Sequence, residues 1–428
     1  MNFKYNKIAS DSIFLLAAEF LIKFKGIIFL PLIISRVGLE NYGIFVQVLI
    51  NPSIIASLCS MSLNTNFLRY TSKFSNNEKN LISKDFYTIF LFSFLLSILG
   101  AYILYLLSPA ISNYILSSKS TLIIKISSII VINEVLWRNL GFFLKSRKKF
   151  KLFSTLFMFY NLLPYLGFVF GIIIYSDILH GIIGYILIQV SFNFILLIIL
   201  IKDLQFEYPS IVRFKKFISY SWALPFSNLS GGLLSKADRY FIGFFMGPAS
   251  IGIYNILYQV ISLIDQLTIP FRNYIGTYLP KQWDNNNRID VLNKIRLGVL
   301  LYLVFSILLA GLFVLYLEPF LVLIIDSRIV QFDYYYYTII SIILGLILLG
   351  INRFYYQVIN LYKKNHFQLF LQLFALIINI ILNVKLIPMI GLLGAGISTL
   401  ISYFIIIVMN HYFFNIPYKI KPDLLFLV

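Results

Sequence analysis

The sequence predicts an all-α integral membrane protein of twelve transmembrane helices, in two parallel six-helix repeats around a central cavity. Three observations predict it. Apolar residues make up 60% of the 428, and the mean hydropathy is +0.87. Long apolar runs recur near residues 12–35, 42–63, 86–108, 121–143, 152–175, 181–201, 217–245, 250–278, 297–317, 334–360, 367–388 and 391–412. Lysine and arginine fall in alternate connections between these runs. A hydrocarbon core ~30 Å thick needs roughly 20 apolar residues of helix. In lipid the backbone must satisfy its own hydrogen bonds, so each run is expected to be helical.

Taken in order, the chain begins with Lys4 and Lys7 ahead of an apolar stretch, in the manner of a signal peptide. That stretch is too long and lacks a small-residue cleavage site, so it reads as a retained first span. The longest hydrophilic connections, around 64–85, 202–216 and 279–296, are too short for a soluble domain. The connections on the other side are shorter still, the ninth, around 318–333, being the largest of them. Any chemistry is therefore expected within the helix bundle.

The formal net charge of +18 is mostly topology. The N-terminal segment and every second connection after it hold 23 basic residues, and the intervening connections hold only Arg36, Lys119, Arg328 and Lys385. The positive-inside rule then places both termini in the cytoplasm, and their sharing one side agrees with an even number of spans. Part of this charge suits anionic lipid headgroups. A nucleic-acid partner is excluded, since no basic surface interleaves with aromatics outside the spans. The single cysteine, Cys59, rules out an intramolecular disulfide and lies in an apolar run, where packing is its expected role.

The two halves echo each other. Gly38-Leu-Glu-Asn-Tyr-Gly43 follows the first run and Gly247-Pro-Ala-Ser-Ile-Gly252 follows the seventh, 209 positions on. Phe150-Lys-Leu-Phe153 follows the fourth run and Phe367-Gln-Leu-Phe370 the tenth; Gly181-Ile-Ile-Gly184 opens the sixth and Gly391-Leu-Leu-Gly394 the twelfth. Three matches in order argue for duplication, with lobes at 1–208 and 209–428. Six spans per lobe make the repeats parallel. Transporters built this way bind substrate between the repeats. The alternative is that small residues recur wherever helices approach closely.

Charged residues inside spans are costly and usually face a cavity or a partner. The basic ones are Lys23, Lys25, Lys125, Arg138, Lys236, Arg239, Arg272 and Arg353; the acidic ones are Glu19, Glu134, Asp238 and Asp265. This net positive interior suits an anionic substrate. Lys23, Lys25, Lys236, Asp238 and Arg239 fall near mid-bilayer, where a structural ion pair is the alternative role. Arg138, Arg272 and Arg353 sit nearer the cytoplasmic ends and Lys125 nearer the outside, where snorkelling is the alternative. Glu19 and Lys23, like Glu134 and Arg138, are four apart and share a helix face. Lys236 and Arg239, three apart, also share a face, and Asp238 projects at another angle. The first and seventh runs correspond by the repeat, so their cations are placed to meet.

Other chemistry is not signalled. The three histidines, His180, His366 and His411, are scattered at span ends, so no metal site is expected. No phosphate loop of a nucleotide hydrolase appears. Ser227-Asn-Leu-Ser-Gly-Gly232 is no nucleophile elbow, and reads as close helix packing or a flexible point.

Three stretches carry a family resemblance: Arg36-Val-Gly-Leu-Glu-Asn-Tyr-Gly43, Lys236-Ala-Asp-Arg-Tyr-Phe-Ile-Gly243 leading to Gly252-Ile-Tyr254, and Asn383-Val-Lys-Leu-Ile-Pro-Met-Ile-Gly-Leu-Leu-Gly-Ala-Gly396. With them the chain resembles, over essentially its whole length, the bacterial Wzx-type flippases of O-antigen (lipopolysaccharide) and capsule repeat units. These belong to the multidrug/oligosaccharidyl-lipid/polysaccharide exporter superfamily. The resemblance implies a transporter of the inner membrane, not an enzyme, with no cofactor. Its substrate would be an undecaprenyl-diphosphate-linked oligosaccharide, moved from the cytoplasmic to the periplasmic leaflet. Membrane lipids, a polysaccharide polymerase and a chain-length regulator are the implied partners. Lys23, Lys25, Lys236, Arg239, Arg138, Arg272 and Arg353 would be the cavity cations for the diphosphate, and Glu19 and Asp238 the ion-coupling carboxylates. Another exporter of the same fold, for drugs or a different lipid-linked substrate, is the alternative, although a cavity for cationic drugs would be acidic. A membrane polymerase or ligase would carry a larger external loop. The lipid II flippase usually has fourteen spans.

Overall fold

The computed structural model describes residues 2–64, 67, 79–147, 149–269, 271, 279, 282–283, 288–324, 330–362 and 364–414. The regular structure of these residues is helical. The helices are α1 (Asn2–Cys59), α2 (Lys79–Ile115), α3 (Thr121–Ser127), α4 (Ile129–Ser146), α5 (Phe150–Tyr175), α6 (Ile178–Ile201), α7 (Ile211–Ser221), α8 (Ala223–Leu234), α9 (Ala237–Met246), α10 (Pro248–Ile261), α11 (Leu263–Gln266), α12 (Arg288–Ile324), α13 (Tyr335–Leu361), α14 (Asn365–Ile390) and α15 (Leu392–Phe414).

Eight stretches of the described residues are long and apolar enough to cross a membrane: 80–115, 118–146, 150–175, 178–201, 288–323, 335–361, 366–390 and 392–413. They coincide with runs three to six and nine to twelve. Of the other four, runs one and two lie in α1 on either side of non-helical backbone at Gly38 (φ 80°, ψ 170°). Run seven is divided among α7, α8 and α9, and run eight begins in α10 and α11. The chain is thus a multi-pass membrane protein in which specific spans are broken.

Helix lengths pair across the sequence. The helices α2 and α12 have 37 residues each and start 209 positions apart. Likewise α5 and α14 have 26 each, and α6 and α15 have 24 and 23. Gly247, between α9 and α10, has φ 83° and ψ 176°, nearly the backbone of Gly38. This extended conformation with positive φ is open essentially to glycine. These pairings are consistent with two repeats.

The described chain packs as two compact units, Met1–Ile256 and Leu257–Val428. In the first, α5 and α6 lie backbone to backbone: a Cβ on Gly167 would sit 2.5 Å from the Gly184 carbonyl oxygen, and one on Gly184 2.3 Å from that of Gly167. Without a hydrophobic force between helices in lipid, such close approach and polar contacts hold the bundle. Asn193 Nδ2 donates to the Asn133 carbonyl at 2.9 Å, and Asn139 Nδ2 to Ser93 Oγ at 2.8 Å. An aromatic core surrounds them, in which Trp137 stacks on Tyr160 at 4.3 Å. The connection from α6 to α7 is strapped to α2. The Gln205 N–H donates to Ser83 Oγ at 3.1 Å, the Ser210 N–H to Thr88 Oγ1 at 3.0 Å, and Arg213 pairs with Asp85. Cys59 is buried beside Gly100, as its apolar setting predicts.

In the second unit, α15 packs against α13 and α14. Tyr302 of α12 lies across Gly350, its hydroxyl 3.2 Å from the Leu346 carbonyl and 3.3 Å from that of Ile347. The repeat glycines Gly38 and Gly43, and Gly247 and Gly252, all lie in the first unit, where they meet. A Cβ on Gly43 would fall 1.8 Å from Pro248 O, and one on Gly252 2.9 Å from Leu39 O. Leu39 and Pro248 are themselves 209 apart, so the contact is reciprocal, as a twofold relation requires.

Candidate functional site: an intramembrane cation cluster

The break in run seven builds the site. Backbone at Lys236 (φ −136°, ψ −10°) is not helical and separates α8 from α9. The shared face expected for Lys236 and Arg239 presumes a continuous helix, and the break removes it. The two cations are sent to different partners.

Lys236 Nζ donates to Ser53 Oγ of α1 at 2.7 Å, and that hydroxyl donates to Ile50 O at 2.9 Å. The Ser53 carbonyl in turn lies 3.5 Å from Arg138 Nη2 of α4. Arg138 also reaches Glu134 Oε2, 3.3 Å away, as the four-residue spacing predicts. Position along the span sets Arg138 nearer an end than Lys236; a long guanidinium arm brings it to the same serine. The charges acting on Lys236 are Glu134, then Arg239, Arg138 and Lys23. The first and seventh runs therefore do bring basic groups within electrostatic range.

Arg239 is engaged differently. Its Nη1 donates to Asp238 Oδ1 at 2.7 Å and to Ser235 O at 2.8 Å, and its guanidinium lies over the Tyr254 ring. The Asp238 and Arg239 side chains are 1% and 3% exposed. Burial this deep is tolerable because each charge neutralises the other, and removing either would strand its partner. Asp238 also sits in the first turn of α9, where the helix dipole favours a carboxylate.

Lys25 Nζ donates to Asn161 O at 3.0 Å and lies 4.2 Å over the Tyr165 ring, a cation–π contact. Lys23 acts on Lys25 through its like charge. The charge of Glu19 acts on Lys145 of α4. Arg353 lies in the second unit, paired with Asp265: Nη2 donates to Oδ2 at 2.6 Å, and Nε is 2.5 Å from Oδ1. Arg272 lies outside the described residues. Lys125 faces the Tyr105 ring at 5.0 Å. At Gly232 a Cβ would meet nothing within 4 Å, so this glycine is not one of close packing; the helix breaks three residues later.

Several participants carry no charge and escape a search for charge. Gln47 and Asn51 are fully or almost fully buried, and Asn51 Oδ1 accepts from Gln47 Nε2 at 3.0 Å and from Tyr240 at 2.6 Å. Asn255 Nδ2 donates to the Tyr42 hydroxyl at 3.1 Å. Two amides four apart in an otherwise apolar run are the signal that could have found the first pair.

The fold and the sequence both have known counterparts. Residues 8–273 match the family model described as polysaccharide biosynthesis protein. No curated protein matches the chain by sequence. Among solved structures, the lipid II flippase MurJ in an inward closed conformation superposes with TM-score 0.76 at 16% identity, over 94% of this chain and 87% of that one. The MATE multidrug transporter DinF-BH gives 0.61 at 16% identity, over 96% of each chain. A MOP superfamily transporter from Pyrococcus furiosus, described as having a binding pocket of reverse polarity, gives 0.65 at 11% identity, over 95% and 94%. All three are transporters or flippases rather than catalysts. The chain has the fold of the MOP-superfamily transporters and belongs to the polysaccharide biosynthesis protein family.

Proposed function

We propose that this protein is a flippase for undecaprenyl-diphosphate-linked oligosaccharide repeat units. It moves the headgroup from the cytoplasmic to the periplasmic leaflet of the bacterial inner membrane by alternating access, with both termini cytoplasmic and with coupling to an ion gradient. The observation that carries this reading is the convergence of Lys236 and Arg138 on Ser53, with Lys23 in range. Cations held inside membrane helices call for an anionic partner. A diphosphate supplies it, while the lipid tail stays between helices. Broken spans at a repeat interface are where transporters of this general build bind substrate. Under this reading Lys23, Lys25, Arg138 and Lys236 contact the headgroup. Arg239, Arg353 and Arg272 complete the candidate set, the first two also holding Asp238 and Asp265. Glu19 is the first coupling candidate and Asp238 the second. The lobes 1–208 and 209–428 are the two rocking halves. A polysaccharide polymerase and a chain-length regulator would act on the product.

Complementation of a flippase-deficient strain tests the reading. Lys236→Gln should cut surface polysaccharide strongly at unchanged protein level, and Lys236→Arg should cut it less. Normal polysaccharide with both Lys236 and Arg138 neutralised would refute it. The second reading, an exporter of the same fold, draws on the likeness to multidrug transporters. Undiminished polysaccharide together with loss of resistance to a cationic drug would favour it.

A further inference from the structure

We propose that Glu134 is an internal competitor for the substrate's phosphate. It pairs with Arg138, which shares Ser53 with Lys236, and an incoming diphosphate must displace it. The inference rests on the flippase reading and adds a residue that tunes affinity.

The carboxylates Glu19, Glu134 and Asp238, which the sequence places inside the runs of the first unit, differ in how they are held. Asp238 is locked to Arg239 at 2.7 Å, in a pair whose side chains are 1% and 3% exposed. Glu19 acts on Lys145, a different lysine. Glu134 is 3.3 Å from Arg138, longer than the ~2.7–2.9 Å of a strong charge-assisted bond. That pair is 22% and 29% exposed, so it is neither sealed nor rigid. Arg138, the partner of Glu134, shares Ser53 with Lys236, so one loosely held carboxylate stands beside a pair of cations. The groups around it from neighbouring elements are Lys236, at the break before α9, and the phenols Tyr160 of α5 and Tyr185 of α6.

The chemistry follows from charge and number of oxygens. A carboxylate offers one negative charge and two acceptors, and a diphosphate more of both. Glu134 offsets one of the two positive charges that Arg138 and Lys236 place inside the membrane, leaves the pair of cations net positive, and can yield to the stronger ligand. It also limits affinity, which a transporter needs in order to release its cargo. Ser53 keeps the cations in place during the exchange, since Lys236 holds its hydroxyl and Arg138 its carbonyl.

The test uses the full chain in nanodiscs, with undecaprenyl diphosphate as probe and undecaprenol as the uncharged control. Glu134→Gln should bind the diphosphate roughly tenfold more tightly, with no change for undecaprenol, since an unfavourable juxtaposition of like charges is removed. Glu134→Asp, which keeps the charge, should bind as the parent does. Lys236→Gln and Arg138→Gln should bind more weakly. A gain in affinity is not an outcome of misfolding, and melting curves of each variant accompany the titrations. If Glu134→Gln binds no more tightly while the two cation variants lose affinity, the inference fails and the flippase reading stands. If no variant changes diphosphate binding, the flippase reading itself fails.

Discussion

Replacing Gly43 with alanine tests the glycine crossing of α1 and α10. The new Cβ would lie 1.8 Å from the Pro248 carbonyl oxygen and 2.7 Å from its carbon. A carbon–oxygen contact settles near ~3.3 Å, so the two backbones must part by roughly 1.5 Å. Neither obstructing atom belongs to a flexible side chain. Overpacking of this kind costs about 1–3 kcal/mol, and a backbone obstacle puts Gly43→Ala at the upper end. For a unit the size of Met1–Ile256, 3 kcal/mol corresponds to a fall in melting temperature of roughly 6–12 °C. Gly252→Ala meets Leu39 O at 2.9 Å and should cost less. Gly38→Ala meets nothing within 4 Å, and its cost of about 1–3 kcal/mol would come from a backbone conformation that alanine avoids. Gly311→Ala, inside α12 with nothing within 4 Å, is the matched control and should be neutral or slightly stabilising. Thermal melting of the purified variants in one detergent gives the ranking. A Gly43→Ala melting point equal to that of Gly311→Ala would refute the reasoning.

Other outcomes follow from the same contacts. Arg239→Gln and Asp238→Asn should each destabilise the protein by about 3–5 kcal/mol, because each strands a buried charge, and the double variant should recover part of the loss in melting temperature and abundance. Gly350→Ala drives a Cβ to 2.0 Å from the Tyr302 hydroxyl and 2.2 Å from its ring carbon Cζ, so Tyr302→Ala, which removes both, should lessen its effect in a double-variant melting cycle. Reporter fusions after residues 80 and 428 should report cytoplasm and one near 115 periplasm; a periplasmic C-terminus would overturn the topology. In proteoliposomes, Glu19→Gln should abolish stimulation of headgroup transport by a pH gradient while slow downhill exchange persists, and gradient-driven transport in that variant would leave Glu19 a structural role.

Most of the architecture was legible because a bilayer admits so few solutions. An apolar run of sufficient length becomes a helix, and eight of the runs appear among the described residues as candidate spans. The reciprocal glycine contact was half legible. Spacing pointed to the Gly38 and Gly247 motifs, but only the fold shows that they touch. The site was less legible, for one reason. Face-sharing arguments presume an intact helix, and run seven is not intact. Glu134 and Arg138, on unbroken α4, pair as their spacing says. Lys236, at the break, bonds Ser53, and Arg239, just beyond it, bonds Asp238. Ser53 carried no signal at all, since a serine in a span usually bonds its own preceding turn, which this one also does.

The breaks and the charges explain each other. In a continuous helix the Ser235 carbonyl would accept the N–H of Arg239. Here that N–H donates instead to Lys236 O at 3.2 Å and to Asp238 Oδ1 at 2.9 Å. The carbonyl so released lies in the interior of a membrane protein, where an unsatisfied polar group is expensive. Arg239 Nη1 takes it, at 2.8 Å, while also holding Asp238. The guanidinium is therefore not an ion tolerated despite the apolar setting; it supplies the hydrogen bond that lets the helix break at all. The break in turn turns Lys236 away from Arg239 and toward Ser53. One buried ion pair thus holds open the irregular backbone, and a second, more exposed set of charges is left in position to meet an anion. Gly38 and Gly247, 209 positions apart, instead mark the links from run one to run two and from run seven to run eight; there glycine permits the irregular conformation directly, so no charge is needed at the turn.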